Sequence, residues 1–344
     1  MFTVLLTATG GGLSAETIRL LNGSQRHRIR VVAVDTADRG VPVAAGFADS
    51  FHKVPYGREG DYAPAIAQLV RQERVDLVLP CSDEEALALA GARASIEAAG
   101  AQLACADLAT LDLVSSKERC FAWLAERGFP VPEWRYCTTA AELAAAFAHF
   151  GDAFAAKPAK GRGNRDVYVV SRGVAGEQRS FSGRELHVAP DVFRERYAAR
   201  LKDLLPVIVA ERLEAPCYDV DTLSWRGTVH RVVPRRRVNP EGMPFLGNVI
   251  EAVPGLADIA ARIAGELNLS WLYDFDVMTR PGDSSPAVIE INPRPSGSLA
   301  ASVAAGIPLL DDLVSLAKGE ALAPQVPLPA AVTVLPFTSL QVRT

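Results

Sequence analysis

Short apolar runs alternate with helix-period segments along the first third of the chain. Residues 2–7 form one run and end at the turn Gly10-Gly11-Gly12, after which Ser14 or Thr17 can cap a helix reaching Leu21. Residues 30–34 form a β-branched run ending at Asp35, residues 63–74 are amphipathic, and residues 76–80 (DLVLP) read as a third buried strand. An Ala-rich helix over 84–99 stops at Gly100. Strands separated by helices need crossover connections, and crossovers of one hand give a parallel sheet covered on both faces. Residues 1–112 are therefore expected to form an α/β, doubly wound parallel-sheet domain.

The pattern changes after that point. Ser115 and Ser116 precede an amphipathic helix over 117–127, stopped by Gly128 with Pro130 and Pro132 beyond. A helix over 139–150 follows. A strand over 154–157 then runs into a glycine-containing loop at 160–166 and returns over 167–170 as a hairpin. Residues 206–209, 218–224, 228–233, 271–278 and 287–291 read as strands, and 257–267 and 295–318 as helical. Mixed hairpins and helices predict an α+β domain over 113–320. Its small lid lobe is expected over about 130–208 and its large lobe over about 209–320. Residues 321–344 are Pro-rich and read as a loose tail or an added strand.

Composition narrows the partners. Lys and Arg number 36 against 40 Asp and Glu, a net charge of −4, which disfavours sequence-independent nucleic-acid binding. No stretch approaches the ~18 apolar residues of a membrane helix, and residues 1–12 lack a basic signal-peptide start. The cysteines at 81, 105, 120, 137 and 217 form no CxxC pair, so they read as reduced thiols of a cytoplasmic protein rather than as zinc ligands. A small-molecule partner is expected.

Two glycine-bearing turns invite a phosphate reading. Gly10, Gly11 and Gly12 follow a strand and open a helix, but the order G-G-G-L-S-A lacks the second and third glycines of the dinucleotide fingerprint. Two readings stay open: an acidic substrate held at this helix N-terminus, or a tight structural turn. The second turn follows Lys157-Pro158 and contains Lys160, Gly161, Arg162 and Gly163. It can bend over polyphosphate, offering amides and point charges, or be a solvated basic loop. It is not a Walker loop, because it leads into a strand.

The segment Glu290-Ile291-Asn292-Pro293-Arg294 is more specific. Glu290 and Asn292 alternate along a strand and so share a face, and Asp276 can lie on a neighbouring strand. These hard oxygen donors suit Mg²⁺, which takes one or two carboxylates plus substrate phosphates. Arg294 follows, where a guanidinium can stabilise a transferring phosphoryl group.

Four segments then stand in one order: Lys117, KPAKGRGNRDV, IVAERLEAPCYDVDTLS and Asp276 with VIEINPR. Together they resemble ATP-grasp proteins, in the style of the carbamoyl phosphate synthetase large subunit and its single-module relatives, over roughly residues 1–320. The resemblance implies an ADP-forming carboxylate–amine ligase with ATP between two α+β lobes. It implies that Lys117 and Lys157 contact phosphates, with Lys157 and Arg294 in catalytic positions, and that Lys160, Gly161, Arg162 and Gly163 belong to a closing lid. Glu211, Arg212 and Leu213 would meet the adenine, largely through backbone groups. Asp276, Glu290 and Asn292 would hold Mg²⁺ or Mn²⁺.

Two positions depart from the family's pattern. Cys217 stands where a ribose-binding Glu often lies, with Glu214 or Asp219 as substitutes. Asp166 stands where the lid usually has Gly. Arg235 and Arg237 are candidate contacts to an acidic acceptor, since at least one of residues 235–237 should face inward. Ser296 can open a helix that receives a carboxylate. The alternatives carried are a carbamoyl-phosphate-type activating enzyme, a small-molecule kinase and a non-catalytic ATP-binding module. A homodimer is the commonest closed assembly.

Overall fold

The computed structural model describes residues 1–39, 41–159, 167–180, 185–239, 245–324, 327–328 and 330–337. Its first sheet contains β1 (Phe2–Leu6), β2 (Ile29–Asp35), β3 (Ser50–Lys53), β4 (Leu77–Leu79) and β5 (Gln102–Leu103). They are parallel, in the order β3-β2-β1-β4-β5. α1 (Ser14–Asn22), α2 (Tyr62–Glu73), α3 (Asp83–Gly91), α4 (Arg93–Ala98) and α5 (Leu108–Ser115) connect and follow these strands. Alternate strand residues enter two different cores. Leu5, Val32 and Val78 pack with Ile66 of α2, whereas Val4, Val31 and Leu77 pack with Ile18 of α1. The period-2 alternation of a doubly covered sheet is what the apolar runs encode.

Local details differ from the sequence reading. Neither Ser14 nor Thr17 caps α1: Leu13 holds the N-cap position without a side-chain bond, and Thr17 donates its hydroxyl back to Leu13 O. The single helix expected over 84–99 is α3 and α4, broken around Ala92 next to Gly91, where helix propensity is lowest. Residue 112 falls inside α5 rather than at a boundary.

α6 (Lys117–Glu126), capped by Ser116, leads into a second sheet. This comprises β6 (Trp134–Cys137), β7 (Phe154–Pro158), β8 (Val167–Val170), β9 (Glu177–Arg179), β10 (Glu185–Val188) and β11 (Val207–Glu211). The order is β6-β11-β7-β8-β10-β9, with β7 and β8 in the expected antiparallel hairpin. α7 (Ala140–Phe150), α8 (Pro190–Arg196) and α9 (Ala198–Asp203) accompany it. A capping box between Thr139 and Glu142 fixes the start of α7. β11 spans the boundary expected near 208 and belongs to this lobe.

The third sheet is antiparallel: β12 (Glu214–Trp225), β13 (Thr228–Arg237), β14 (Asn248–Ile250), β15 (Trp271–Thr279), β16 (Pro286–Asn292) and β17 (Val332–Val334). They run in the order β16-β15-β12-β13-β14-β17. The tail thus supplies an edge strand. α10 (Leu256–Glu266) and α12 (Leu309–Lys318) pack with this sheet, and α11 (Leu299–Ala304) reaches it through Ser302 Oγ, which donates to Asp221 Oδ2. The helical stretch expected over 295–318 divides at Gly306 and Pro308. Residues of the third sheet and of α10 and α12 share the two cores of the N-terminal domain. The second lobe has a core of its own around Leu143, Phe154, Tyr168 and Phe193. All five cysteines are free thiols. Among the described residues, no helix is long and apolar enough to cross a membrane.

Candidate active site

A cleft of about 950 Å³ lies where the three units meet. Its roof is β7 and β8. Lys157, at the end of β7, sits 5.6 Å from the Phe121 ring centroid, and Lys117 reaches the same space from the first turn of α6. Burial, and then the neighbouring Lys117 charge, lower the Lys157 pKa. Residues 160–166, which include Lys160, Gly161, Arg162, Gly163 and Asp166, lie outside the described residues.

The hinge between the lobes is Glu211, Arg212 and Leu213, all three lining the cleft. The Glu211 carboxylate accepts from Glu133 N (2.9 Å) and Arg280 Nε (3.0 Å). Its side chain thus ties this segment to the residues on either side of it. Arg212 lies 3.6 Å from Glu214.

The floor is built by strand register. On β15 and β16, Asp276 stands opposite Glu290, and Asp274 opposite Asn292. On β12, Asp219 stands opposite Asp276. Alternation aims Asp274 and Asp276 at one face. Carboxylate oxygens of Asp219, Asp274 and Asp276 lie within 4.8 Å of one another. Asp274 Oδ1 is buried without a hydrogen-bond partner. Burial, with Asp276 beside it, pushes the Asp274 carboxyl well above its ordinary range. Burial also pushes Asp276 up to about 7, against the pull of Arg237. At Asp219 the effect of burial is outweighed by Arg237 and Arg235, and its pKa stays low.

Arg294 closes the end of the floor. Its Nε donates to Asp83 Oδ1 at 2.7 Å and its Nη2 to Asn292 Oδ1 at 3.3 Å, while Nη1 lies 3.9 Å from Asp274. The sequence reading missed Asp83 and Asp274. Asp274 had a signal, the alternation with Asp276. Asp83 had none, because its partner lies 211 residues away.

Other sequence candidates are placed differently. Asp219, read as a ribose contact, is committed to Arg237 and Arg235 within the acidic floor. Arg235 is fully buried and bonds Asp221, Asn248, Ser296 and Ser298. It therefore fixes the turn after β16, and Ser296 is one of its acceptors rather than a free helix opening. Arg237 lines the cleft, with Ser296. At the first turn, Gly10 N donates to Asp35 Oδ2 at 2.6 Å, so a carboxylate of the chain already takes that amide. Gly11 and Gly12 line the cleft.

Residues 4–104 match the family model described as PylC-like, N-terminal domain. Residues 203–339 match the one described as ATP-grasp in the biosynthetic pathway with Ter operon. No curated protein matches the sequence. Among solved structures, N5-carboxyaminoimidazole synthetase from Staphylococcus aureus is similar at 14% identity, covering 97% of this chain and 80% of that one with a TM-score of 0.66. Biotin carboxylase from Campylobacter jejuni gives 15%, 94%, 72% and 0.65 in the same order. L-amino acid ligase from Bacillus licheniformis gives 12%, 92%, 74% and 0.64. Identities this low establish a shared fold.

Proposed function

We propose that this ATP-grasp chain is an ADP-forming, divalent-metal-dependent ligase that activates a carboxylate as an acyl phosphate for attack by an amine or similar nucleophile. The observation that carries the reading is the paired register Asp276–Glu290 and Asp274–Asn292. It stands in one cleft with Lys117, Lys157 and Arg294. The names of the similar structures, a synthetase, a carboxylase and an amino-acid ligase, agree with that class.

The donor set fits a hard divalent cation, because Asp219, Asp274 and Asp276 bring carboxylate oxygens within 4.8 Å of one another and Asp274 Oδ1 has no hydrogen-bond partner. Asp276, Glu290 and Asn292 would hold Mg²⁺ or Mn²⁺, with Asp274 beside them. When bound, the metal supplies charge neutralisation on the phosphates.

The carboxylate oxygen attacks the γ-phosphorus and the bond to ADP breaks. The nucleophile then attacks the acyl carbon, phosphate leaves and the nucleophile loses its proton. The chain's part is alignment and charge. Lys117 and Lys157 face the phosphates, and the hinge backbone at Glu211–Leu213 takes the adenine edge. Arg294, held by Asp83, meets the transferring group. The second lobe, with its separate core, closes to exclude water.

The test is ADP release from Mg-ATP with a pooled panel of amino acids and small carboxylates, split afterwards. Release requiring two components supports the ligase. Release with one component points to a kinase, and none, with ATP still raising the melting temperature, to a binding module. Glu290→Gln is expected to abolish ADP production with an unchanged melting curve; unchanged turnover would overturn the metal assignment.

A further inference from the structure

The acidic floor already holds a cation of the chain's own. Arg237 Nη2 lies 2.5 Å from Asp219 Oδ1 and 2.6 Å from Asp276 Oδ2, and its Nε lies 2.9 Å from Asp219 Oδ1. Alternation along β13 explains the placement. Arg235 and Arg237 share the inner face, while Arg236 turns outward to Glu251 at 2.7 Å. Arg235 is spent on the turn after β16, so Arg237 is the guanidinium that spans the two strands of the floor.

Asp276 thus faces two demands. It stands opposite Glu290, where a divalent ion needs its charge, and it bonds Arg237 on the other side. The third member of the cluster is different. Asp274 is 3% exposed, and its Oδ1 has no hydrogen-bond partner. Its nearest counter-charge, Arg294 Nη1, stands off at 3.9 Å, and buried carboxylates without a close counter-charge are costly. A site that fills and empties with each nucleotide must therefore have another source of positive charge between turnovers.

We propose that Arg237 is the exchangeable counter-cation of this site: it neutralises Asp276 while no divalent ion is bound, and the ion takes Asp276 from it. The inference rests on the metal reading of the floor. It follows that Arg237 lowers the metal affinity of the nucleotide-free protein, so that metal arrives chiefly with the nucleotide. Asp219, with two contacts to the guanidinium, retains Arg237 after the exchange.

Mn²⁺ titration followed by electron paramagnetic resonance, without nucleotide, tests this on the full chain, on Arg237→Met and on Arg237→Lys. Removing a competing unit charge a few ångströms from a buried carboxylate should tighten Mn²⁺ binding roughly tenfold or more in Arg237→Met. Arg237→Lys, which keeps the charge, should stay within about threefold of the parent on the same grounds. The melting temperature of Arg237→Met should also rise more steeply with Mn²⁺ than that of the parent. Binding no tighter than the parent's overturns the proposal. If Arg237→Met is unfolded without metal, recovery of native circular dichroism on adding Mn²⁺ supports it, and failure to recover overturns it. The parent with a non-hydrolysable ATP analogue separates the two readings. No Mn²⁺ binding there overturns the metal site itself, whereas binding there with an unchanged Arg237→Met overturns only the role of Arg237.

Discussion

Asp83 Oδ1, in the first turn of α3, lies 2.7 Å from Arg294 Nε, just past the floor strand β16. The contact makes the N-terminal domain part of the site, because it helps to set the direction of a guanidinium that otherwise meets Asn292, the Pro295 carbonyl and, at 3.9 Å, Asp274. Asp83→Ala should lower ADP-forming turnover roughly ten- to hundredfold, the scale of a small misplacement in a reacting array. The KM for ATP should move little, since Lys117, Lys157 and the hinge are untouched. Steady-state kinetics beside a melting curve checks this, and unchanged turnover would mean that Arg294 is oriented without Asp83.

The separate core of the second lobe predicts separate unfolding. Phe193 stacks edge-on against Phe147 at 5.3 Å and Phe154 at 5.2 Å, and none of the three belongs to the cores shared by the rest of the chain. Phe193→Ala should cost about 3–5 kcal/mol, as truncation of a buried aromatic does. The cost should fall on that lobe alone. Amide exchange should show β7, β8 and α8 losing protection while β1 and β12 keep theirs. A uniform loss would mean one cooperative unit.

How much of this was legible depends on what kind of pattern each part leaves. β1, β2 and β4 announce themselves, because a strand buried on both faces is a continuous apolar run. β3 and β5 are four and two residues long, too short to leave a period. The Asp276–Glu290 floor could be read because both residues sit on long strands where alternation fixes the face. At least one of residues 235–237 could be read as inward-facing, but not which, nor its partners, since register across β12 and β13 is a tertiary fact. The Gly10 turn left two readings open for a related reason: its amide partner, Asp35, is 25 residues away on the next strand. Sequence spacing shows that a turn exists and not what fills it.

Glu85 should make stability depend on pH. It is 5% exposed and accepts from Thr7 Oγ1 at 2.6 Å and Ser82 Oγ at 2.9 Å. Burial raises its pKa further than those two bonds lower it. A carboxyl whose folded pKa exceeds its unfolded one binds a proton more tightly when folded. Its stabilisation is therefore full below the unfolded value and is lost as pH rises through the folded value. Gln keeps an acceptor oxygen for both hydroxyls and never ionises. Glu85→Gln should therefore melt above the parent at about pH 8, with the gap closing towards about pH 4, near the ordinary Glu value. A gap that is flat across that range would show that hydrogen bonding, not ionisation, sets the difference.

Gly247 ties the C-terminal segment to the body. Its φ is +123°, and a Cβ there would lie 2.6 Å from the Val334 carbonyl oxygen and 2.8 Å from a Leu335 methyl. Only glycine permits both that backbone and so close an approach. The next residue, Asn248, pairs with Val334 in the β14–β17 ladder. Beyond that ladder, Pro336 and Phe337 line the cleft, and Phe337 is 84% exposed there. Gly247→Val should therefore release the segment from residue 332 onward rather than unfold the sheet, because β17 is an edge strand with one partner. The strain is on the order of 1–3 kcal/mol for the backbone alone, before the clash with Val334. Limited proteolysis read by mass spectrometry should show early cleavage after residue 330 in the variant, with β12–β16 intact. Equal cleavage rates in variant and parent would show that the segment is held by contacts other than this ladder.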